Sequence, residues 1–349
     1  MILYVVRYHP ALTETFVRDE IRALRGAGVH IELAAFDARE AALEDDPAVV
    51  HRQPHRWGWL WELPSLIVEW LRTPAWVSRR VLWLASVVRR SRRVHVHFAG
   101  EAAEWTRQAC ERANVPYSVT VHAVDLYKPV PTLSRVLLHA CTVVAMTEFN
   151  RRLVQEKYGI AARLVRFGID LDVTPPVRQR AGLPIVLSVG RNVPKKGLDL
   201  VCRVASRVDR PAQFVVYSNL PPTEAVSVRG LVPHEEVLSA FAEASIFLLP
   251  CRVAPDGDMD GLPVVIVEAM ARGLPVITTR VSGIPELVDD SAGWLVDPDD
   301  EEALLGAVRE ALDHPEDAAR RGALGRARVV ENGYSREALV AAMREVLGA

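Results

Sequence analysis

The sequence predicts an α/β protein built from two doubly wound parallel-sheet, Rossmann-like domains facing a central cleft, and three observations predict it. Apolar runs of strand length alternate with segments of helical period along most of the chain, the pattern of parallel strands buried on both faces and joined by crossover helices. The chain has 349 residues, more than one hydrophobic core usually supports. Residues 170–184 carry Pro175, Pro176, Gly182 and Pro184 with little periodicity. That texture is a linker's, and it separates one series of runs from another.

Taken in order, the first series places strands over residues 2–7, 29–36, 94–98, 117–122, 142–146 and 162–167, with helices between them as at 14–25. Residues 1–6 are apolar, but no basic leader precedes them and Arg7 interrupts them early, so they are read as a strand and not a secretory signal. The apolar stretch 57–71 is broken by Glu62, Pro64 and Glu69, short of the ~20 apolar residues that span a bilayer. The second series places strands over 185–189, 214–217, 246–249, 276–279 and 294–296. The expected division is therefore a first domain over 1–169, a linker over 170–184, a second domain over 185–332, and a terminal segment 333–349 whose helix, 336–347, returns to the first domain. Ligands of doubly wound sheets bind beyond the carboxyl ends of the strands, which makes the cleft the expected site.

Composition narrows the function classes. Half the residues are hydrophobic and a quarter are charged, which is globular, and the net charge of -2 gives no global pull toward nucleic acid. The four cysteines, Cys110, Cys141, Cys202 and Cys251, have neither paired nor metal-ligand spacing. They are read as buried reduced thiols, so a cytoplasmic compartment is expected and no metal ligand set. Residues 51–93 combine Trp57, Trp59, Trp61, Trp70, Trp76 and Trp83 with Arg72, Arg79, Arg80, Arg89, Arg90, Arg92 and Arg93. Packing of the tryptophans onto a domain core is the weightier reading, and peripheral contact of residues 57–93 with the inner, anionic membrane face is the other.

The chemistry lies in Asp258-Met-Asp-Gly-Leu-Pro-Val-Val-Ile-Val-Glu-Ala-Met-Ala-Arg-Gly-Leu-Pro-Val-Ile277, read as loop, helix, turn and strand. Pro263 suits the first helical position, and Gly273 with Pro275 ends the helix. Free amides of Gly261, Leu262 and Val264 at the helix start would meet an anionic diphosphate. Asp260 and Glu268 flank that start, and a carboxylate can accept both hydrogen bonds of a vicinal diol. Either residue has a plainer reading, as a cap or a solvated helix position. For Glu268 that reading fails, because an unpartnered carboxylate in the otherwise apolar run 262–271 is costly.

Asp260 and Glu268, with seven residues between them, resemble the acidic signature of retaining family 4 glycosyltransferases with the GT-B fold, with aspartate where glutamate is commoner. Thr278-Thr-Arg-Val-Ser-Gly-Ile-Pro-Glu-Leu-Val288 resembles the segment that follows it. The resemblance implies that Glu268 holds a nucleotide ribose, that Asp260 meets the donor sugar, and that the amides between them bind its diphosphate. Ser188-Val-Gly-Arg-Asn-Val-Pro-Lys-Lys-Gly197 resembles the family's basic loop, in which Gly190, Arg191 and Lys196 face the diphosphate and Lys195 is a bystander by its offset. Fixed cations there favour charge building on the leaving group, so no cofactor or metal is expected to be required.

In the first half, Tyr117-Ser-Val-Thr-Val-His-Ala-Val-Asp-Leu-Tyr127 resembles the acceptor domain's histidine segment. The resemblance places His122 near donor sugar and acceptor, often through its backbone carbonyl. Asp125 either orients it or caps the next helix, and His97 at the end of another strand is a further acceptor-side candidate. Tyr8-His-Pro-Ala-Leu-Thr-Glu-Thr-Phe16 stands where many relatives carry a glycine pair and resembles the loop of the exopolysaccharide (colanic-acid type) branch, so Glu14 and Thr15 are expected near the acceptor. The reaction implied is sugar transfer with retention from a nucleotide-diphosphate sugar, UDP-linked by family frequency, to a glycan, lipid-linked or small-molecule acceptor in polysaccharide or glycoside synthesis. A nucleotide-sugar epimerase and a noncatalytic nucleotide-sugar-binding protein are the rivals. A nicotinamide dehydrogenase lacks its G-x-G-x-x-G after a first strand.

Overall fold

A computed structural model describes residues 1–8, 15–37, 50–52, 78–171 and 182–349. They form two compact units. The first holds Met1–Met146, Arg151–Gly168 and Glu337–Ala349; the second holds Thr147–Asn150 and Ile169–Arg336.

The first unit is built on seven parallel strands: β1 (Ile2–Tyr8), β2 (Ile31–Asp37), β3 (Val50–Arg52), β4 (Arg93–His97), β5 (Tyr117–Val121), β6 (Thr142–Ala145) and β7 (Arg163–Leu164). Their order is β3-β2-β1-β4-β5-β6-β7, so chain order reverses between β1 and β4, the switch point where such sheets bind ligands. Residues of β1 alternate between the faces, as strand geometry requires. Ile2, Tyr4 and Val6 pack with Val17, Ile21 and Leu24 of helix α1 (Thr15–Gly26). Leu3 and Val5 lie on the other side with α2 (Arg79–Val88) and α3 (Glu101–Ala113). Each large side chain buried this way contributes about 1.5–3 kcal/mol. The short helices α4 (Ala123–Tyr127) and α5 (Leu133–His139) follow β5, and α6 (Glu148–Tyr158) follows β6.

The second unit has six parallel strands: β8 (Ile185–Val189), β9 (Gln213–Tyr217), β10 (Ser227–Val228), β11 (Ile246–Leu249), β12 (Val276–Thr279) and β13 (Trp294–Val296). Their order is β10-β9-β8-β11-β12-β13, which puts a second switch point between β8 and β11. Its helices are α7 (Leu198–Arg207), α8 (His234–Glu243), α9 (Val264–Ala271), α10 (Glu301–Asp313) and α11 (Pro315–Glu331). The last helix, α12 (Arg336–Leu347), sets Leu339, Met343, Val346 and Leu347 into the core beside α1.

Several expectations are corrected. The strand expected over 162–167 has only two residues, Arg163 and Leu164, and β3 and β10 were not anticipated. Cysteines 110 and 251 are buried, but Cys141 is exposed and Cys202 half-buried; all four are free thiols. Of the six tryptophans in 51–93, five lie outside the described residues. The sixth, Trp83, is buried edge-on against Phe36 with ring centroids 5.4 Å apart, which is packing and not surface display. Among the described residues no helix is long and apolar enough to cross a membrane.

Candidate active site

The loops that leave β8 and β11 meet at the second unit's switch point. After β8 the chain runs through Gly190 and Arg191 into a 3-10 turn, Pro194–Lys196, closed by Gly197 at φ +64°. A Cβ on Gly197 would sit 2.1 Å from the Pro250 carbonyl oxygen, so only glycine lets this turn press against the loop after β11. The backbone of Arg252 donates to the Lys195 carbonyl at 3.0 Å, tying the two loops together. The Lys196 stem lies over Gly190 at van der Waals distance.

Four charged side chains close on one another here. Lys196 Nζ stands 2.7 Å from Asp260 Oδ2; Lys195 Nζ is 3.1 Å from Asp258 Oδ1 and 3.4 Å from Asp260 Oδ1. The bystander reading of Lys195 is therefore corrected, because the tight turn swings both neighbouring lysines toward the aspartates. Burial works against the Lys196 charge, but the Asp260 carboxylate outweighs it and the ammonium is held above its usual pKa. Burial likewise opposes the Asp260 charge, and Lys196 and Lys195 overcome it, holding the carboxyl below its usual range. Arg191, exposed on the same loop, has no carboxylate partner among the described residues.

From Asp260 the chain passes Gly261, whose carbonyl accepts from Gly283 at 2.8 Å, and the buried Leu262. Pro263 is the N-cap, extended at φ −62° and ψ 129°, and not the first helical residue as expected. Helix α9 thus starts at Val264. The amides of Val264 and Val265 then have no intrahelical acceptor, which is the anion-seeking end of a helix. Glu268 lies one turn further on and is only 5% exposed. Its Oε1 accepts from His234 Nε2 at 2.6 Å. Its Oε2 is buried with no hydrogen-bond partner among the described residues, an open valence on a buried charge.

The first unit's switch point carries a different chemistry. His97 ends β4, His122 follows β5 as the N-cap of α4, and Glu20 comes from α1. The His122 ring accepts from the Asp125 amide while the Asp125 carboxylate accepts from the His122 amide at 2.8 Å. With one ring nitrogen an acceptor, His122 Nε2 is the protonated one and donates to His97 Nδ1 at 3.2 Å. His97 Nε2 then donates to Glu20 Oε1 at 3.3 Å, where Tyr4 O–H also donates at 2.7 Å. Because the Glu20 carboxylate can only accept, it sets the direction of the bonds along His97 and His122. Burial holds His122 well below its usual pKa, and His97 beside it adds to the effect.

Of the acceptor-side candidates, His97 is placed differently from expectation, and Asp125 takes the capping one of its two expected roles. His97 is enclosed, 1% exposed, and meets other side chains only. Asp125 is the helix cap and not an open carboxylate; burial pushes it up to about 6 against the His122 and Ala99 amides that pull it down. Glu14 lies outside the described residues, and Thr15 opens α1 with a side chain outside them too. Phe98 stacks on His122 at 4.0 Å with its backbone at φ +67°, a strained value for an aromatic residue. Glu20, His95 and His97 offer ligand atoms within 4.8 Å of one another. Both His95 ring nitrogens, however, are engaged by Ser118 at 2.9 Å and Thr120 at 3.1 Å, so a metal there would have to break a hydroxyl bond.

Sequence reasoning missed Glu20, Lys195 and His234. For Glu20 a signal existed: three residues after Val17 and one before Ile21, it falls on the buried stripe of α1. Nothing local marks His234.

Residues 183–314 match the family described as glycosyl transferases group 1, and residues 13–173 match glycosyltransferase family 4. The chain is 32% identical over 230 residues to the GDP-mannose-dependent alpha-(1-6)-phosphatidylinositol monomannoside mannosyltransferase of Mycolicibacterium smegmatis, covering 57% of this chain and 60% of that protein. It is 37% identical over 140 residues to the amylovoran biosynthesis glycosyltransferase AmsK of Erwinia amylovora, covering 35% of this chain and 34% of the relative. These matches thus span from about a third to three fifths of the curated relatives' length. In fold it resembles HepE of Anabaena, solved in complex with UDP, with a TM-score of 0.79 at 15% identity over 99% of both chains. A similar likeness holds for sucrose-phosphate synthase from Thermosynechococcus elongatus, with a TM-score of 0.76 at 19% identity over 99% of this chain and 97% of that one. With two family matches on its two halves and a parallel sheet with a charged or histidine-lined switch point in each, the chain belongs to the family 4 glycosyltransferases of GT-B type.

Proposed function

We propose that this protein transfers a sugar, with retention of anomeric configuration, from a nucleotide-diphosphate sugar to a hydroxyl of a glycan, lipid-linked or small-molecule acceptor. The observation that carries the reading is Glu268. A buried carboxylate with one oxygen on His234 and the other unpartnered is destabilising by itself. A ribose hydroxyl donating to Oε2 would complete it. The diphosphate would then rest against the α9 start, Arg191 and the Lys195–Lys196 turn. Their charges stabilise the leaving group as the glycosidic carbon gains cationic character, so no metal need supply the counter-charge. In the first unit the His122 ring is buried and its Nε2 is taken by His97, which supports same-face attack in which the leaving phosphate, and not a side-chain base, takes the acceptor proton.

The donor is UDP- or GDP-linked; the Mycolicibacterium relative is named for GDP-mannose. The test is a thermal-shift series of UDP- and GDP-sugars in buffer holding EDTA, followed by turnover with the donor that raises the melting temperature. Glu268→Ala is expected to abolish both the shift and turnover, a loss of at least about 100-fold. Undiminished activity in that variant, or a shift that needs added divalent cation, sinks the reading.

A further inference from the structure

We propose that Asp260 is the built-in counter-ion of the anion site: it holds Lys195 and Lys196 in the free protein, and an entering pyrophosphoryl group displaces it, which frees its carboxylate for sugar hydroxyls. The inference rests on the donor reading above and adds an order of events to it.

Both oxygens of Asp260 are engaged by ammonium groups, Oδ2 by Lys196 at 2.7 Å and Oδ1 by Lys195 at 3.4 Å. In this state each already serves an ammonium, and a diol would have to share it. The loops themselves are fixed: Gly197 locks the lysine turn against Pro250, Arg252 and Lys195 are joined backbone to backbone, and Ala254 donates to the Asp258 carbonyl at 2.8 Å. What can change is the Asp260 side chain. The site holds three cations, Lys195, Lys196 and Arg191, whose charge Lys196 feels, and two carboxylates, Asp258 and Asp260; the Arg252 guanidinium is turned away onto Asp199 and Asp299. The sum is one net positive charge. A pyrophosphoryl group brings more negative charge than that, and its closest route to full pairing is to take the lysines from Asp260. The released carboxylate then stands beside the phosphate and not between the cations, free to accept from the sugar that the phosphate carries.

An ordinary sugar contact and a competing counter-ion differ in sign. Removing a sugar contact leaves the affinity for a sugarless diphosphate unchanged. Removing a counter-ion raises it, because the lysines no longer have to be won from a carboxylate.

The experiment is calorimetric titration of the full chain with UDP, GDP and inorganic pyrophosphate. Asp260→Asn is expected to bind these sugarless anions at least about tenfold tighter than the parent, while losing the extra affinity the parent shows for a nucleotide sugar over its nucleotide. Asp258→Asn, which removes one of the two carboxylates on Lys195 and leaves Asp260 in place, is expected to give a smaller gain and serves in its place should Asp260→Asn not fold. Unchanged or weaker binding in the folded variants, with Arg191→Gln still weakening it, overturns the counter-ion role and leaves the anion site standing. No heat from any of the three anions with parent or variants overturns both.

Discussion

At the second sheet's switch point Lys196 and Asp260 meet at 2.7 Å as full charges, while at the first sheet's switch point His97 and His122 meet at 3.2 Å as hydrogen-bonded rings. Topology is the same in both places: chain order reverses, and two loops leave neighbouring strands side by side. The side chains decide what each crevice does. One keeps charge available, with Arg191 exposed and Glu268 holding an open oxygen. The other closes its polar atoms on one another, from Tyr4 through Glu20 and His97 to His122 and Asp125. A charged ligand suits the first arrangement, and an uncharged hydroxyl compound suits the second.

The contrast can be broken at its most rigid point. Gly197→Ala forces a Cβ against the Pro250 oxygen at a φ that favours glycine, and a loss of about 3 kcal/mol or more in urea unfolding is expected. Free tolerance of alanine would show that the two loops of the charged site are not held together. Next comes the closed network. Glu20→Ala leaves Tyr4 O–H and His97 Nε2–H buried without their acceptor, so a loss of about 2–4 kcal/mol is expected. A loss under about 1 kcal/mol would mean that water reaches the network and that the two sites differ less than their geometry indicates.

The smallest effect is the most diagnostic of burial. Burial lifts Asp125 from 3.8 to about 6 in the folded state. An acid raised on folding lends stability below its unfolded pKa and loses it as pH climbs through the folded value. Asp125→Asn keeps an oxygen for the His122 amide and carries no charge. It is expected to melt about 2–4 °C higher than the parent at pH 7.5, with the difference vanishing near pH 4. A gain that persists at pH 4 would place its origin outside titration.

Much of this was legible in the sequence. Apolar runs such as Ile246–Leu249 and Val276–Thr279 are strands from end to end, because a parallel strand covered on both faces has little choice of residue. Two- and three-residue strands like β10 and β3 escape, since a period of two cannot be read from so few positions. At the site, Asp260, Glu268 and the Lys196 turn stand out because charge in an apolar run is expensive. Lys195 was misjudged because linear offset ignores the 3-10 turn, which brings consecutive side chains onto Asp260. His234 could not be found, since its partner Glu268 is 34 residues away and only the packing of α8 and α9 brings them together.

Phe98 closes the account of the first crevice. Its backbone at φ +67° would be more comfortable with glycine, while its ring stacks on His122 at 4.0 Å. Replacing it with glycine relaxes the main chain and removes an aromatic contact at once, two changes of opposite sign in a melting curve. Selection or screening for thermal tolerance alone would therefore read only the difference between the two at residue 98.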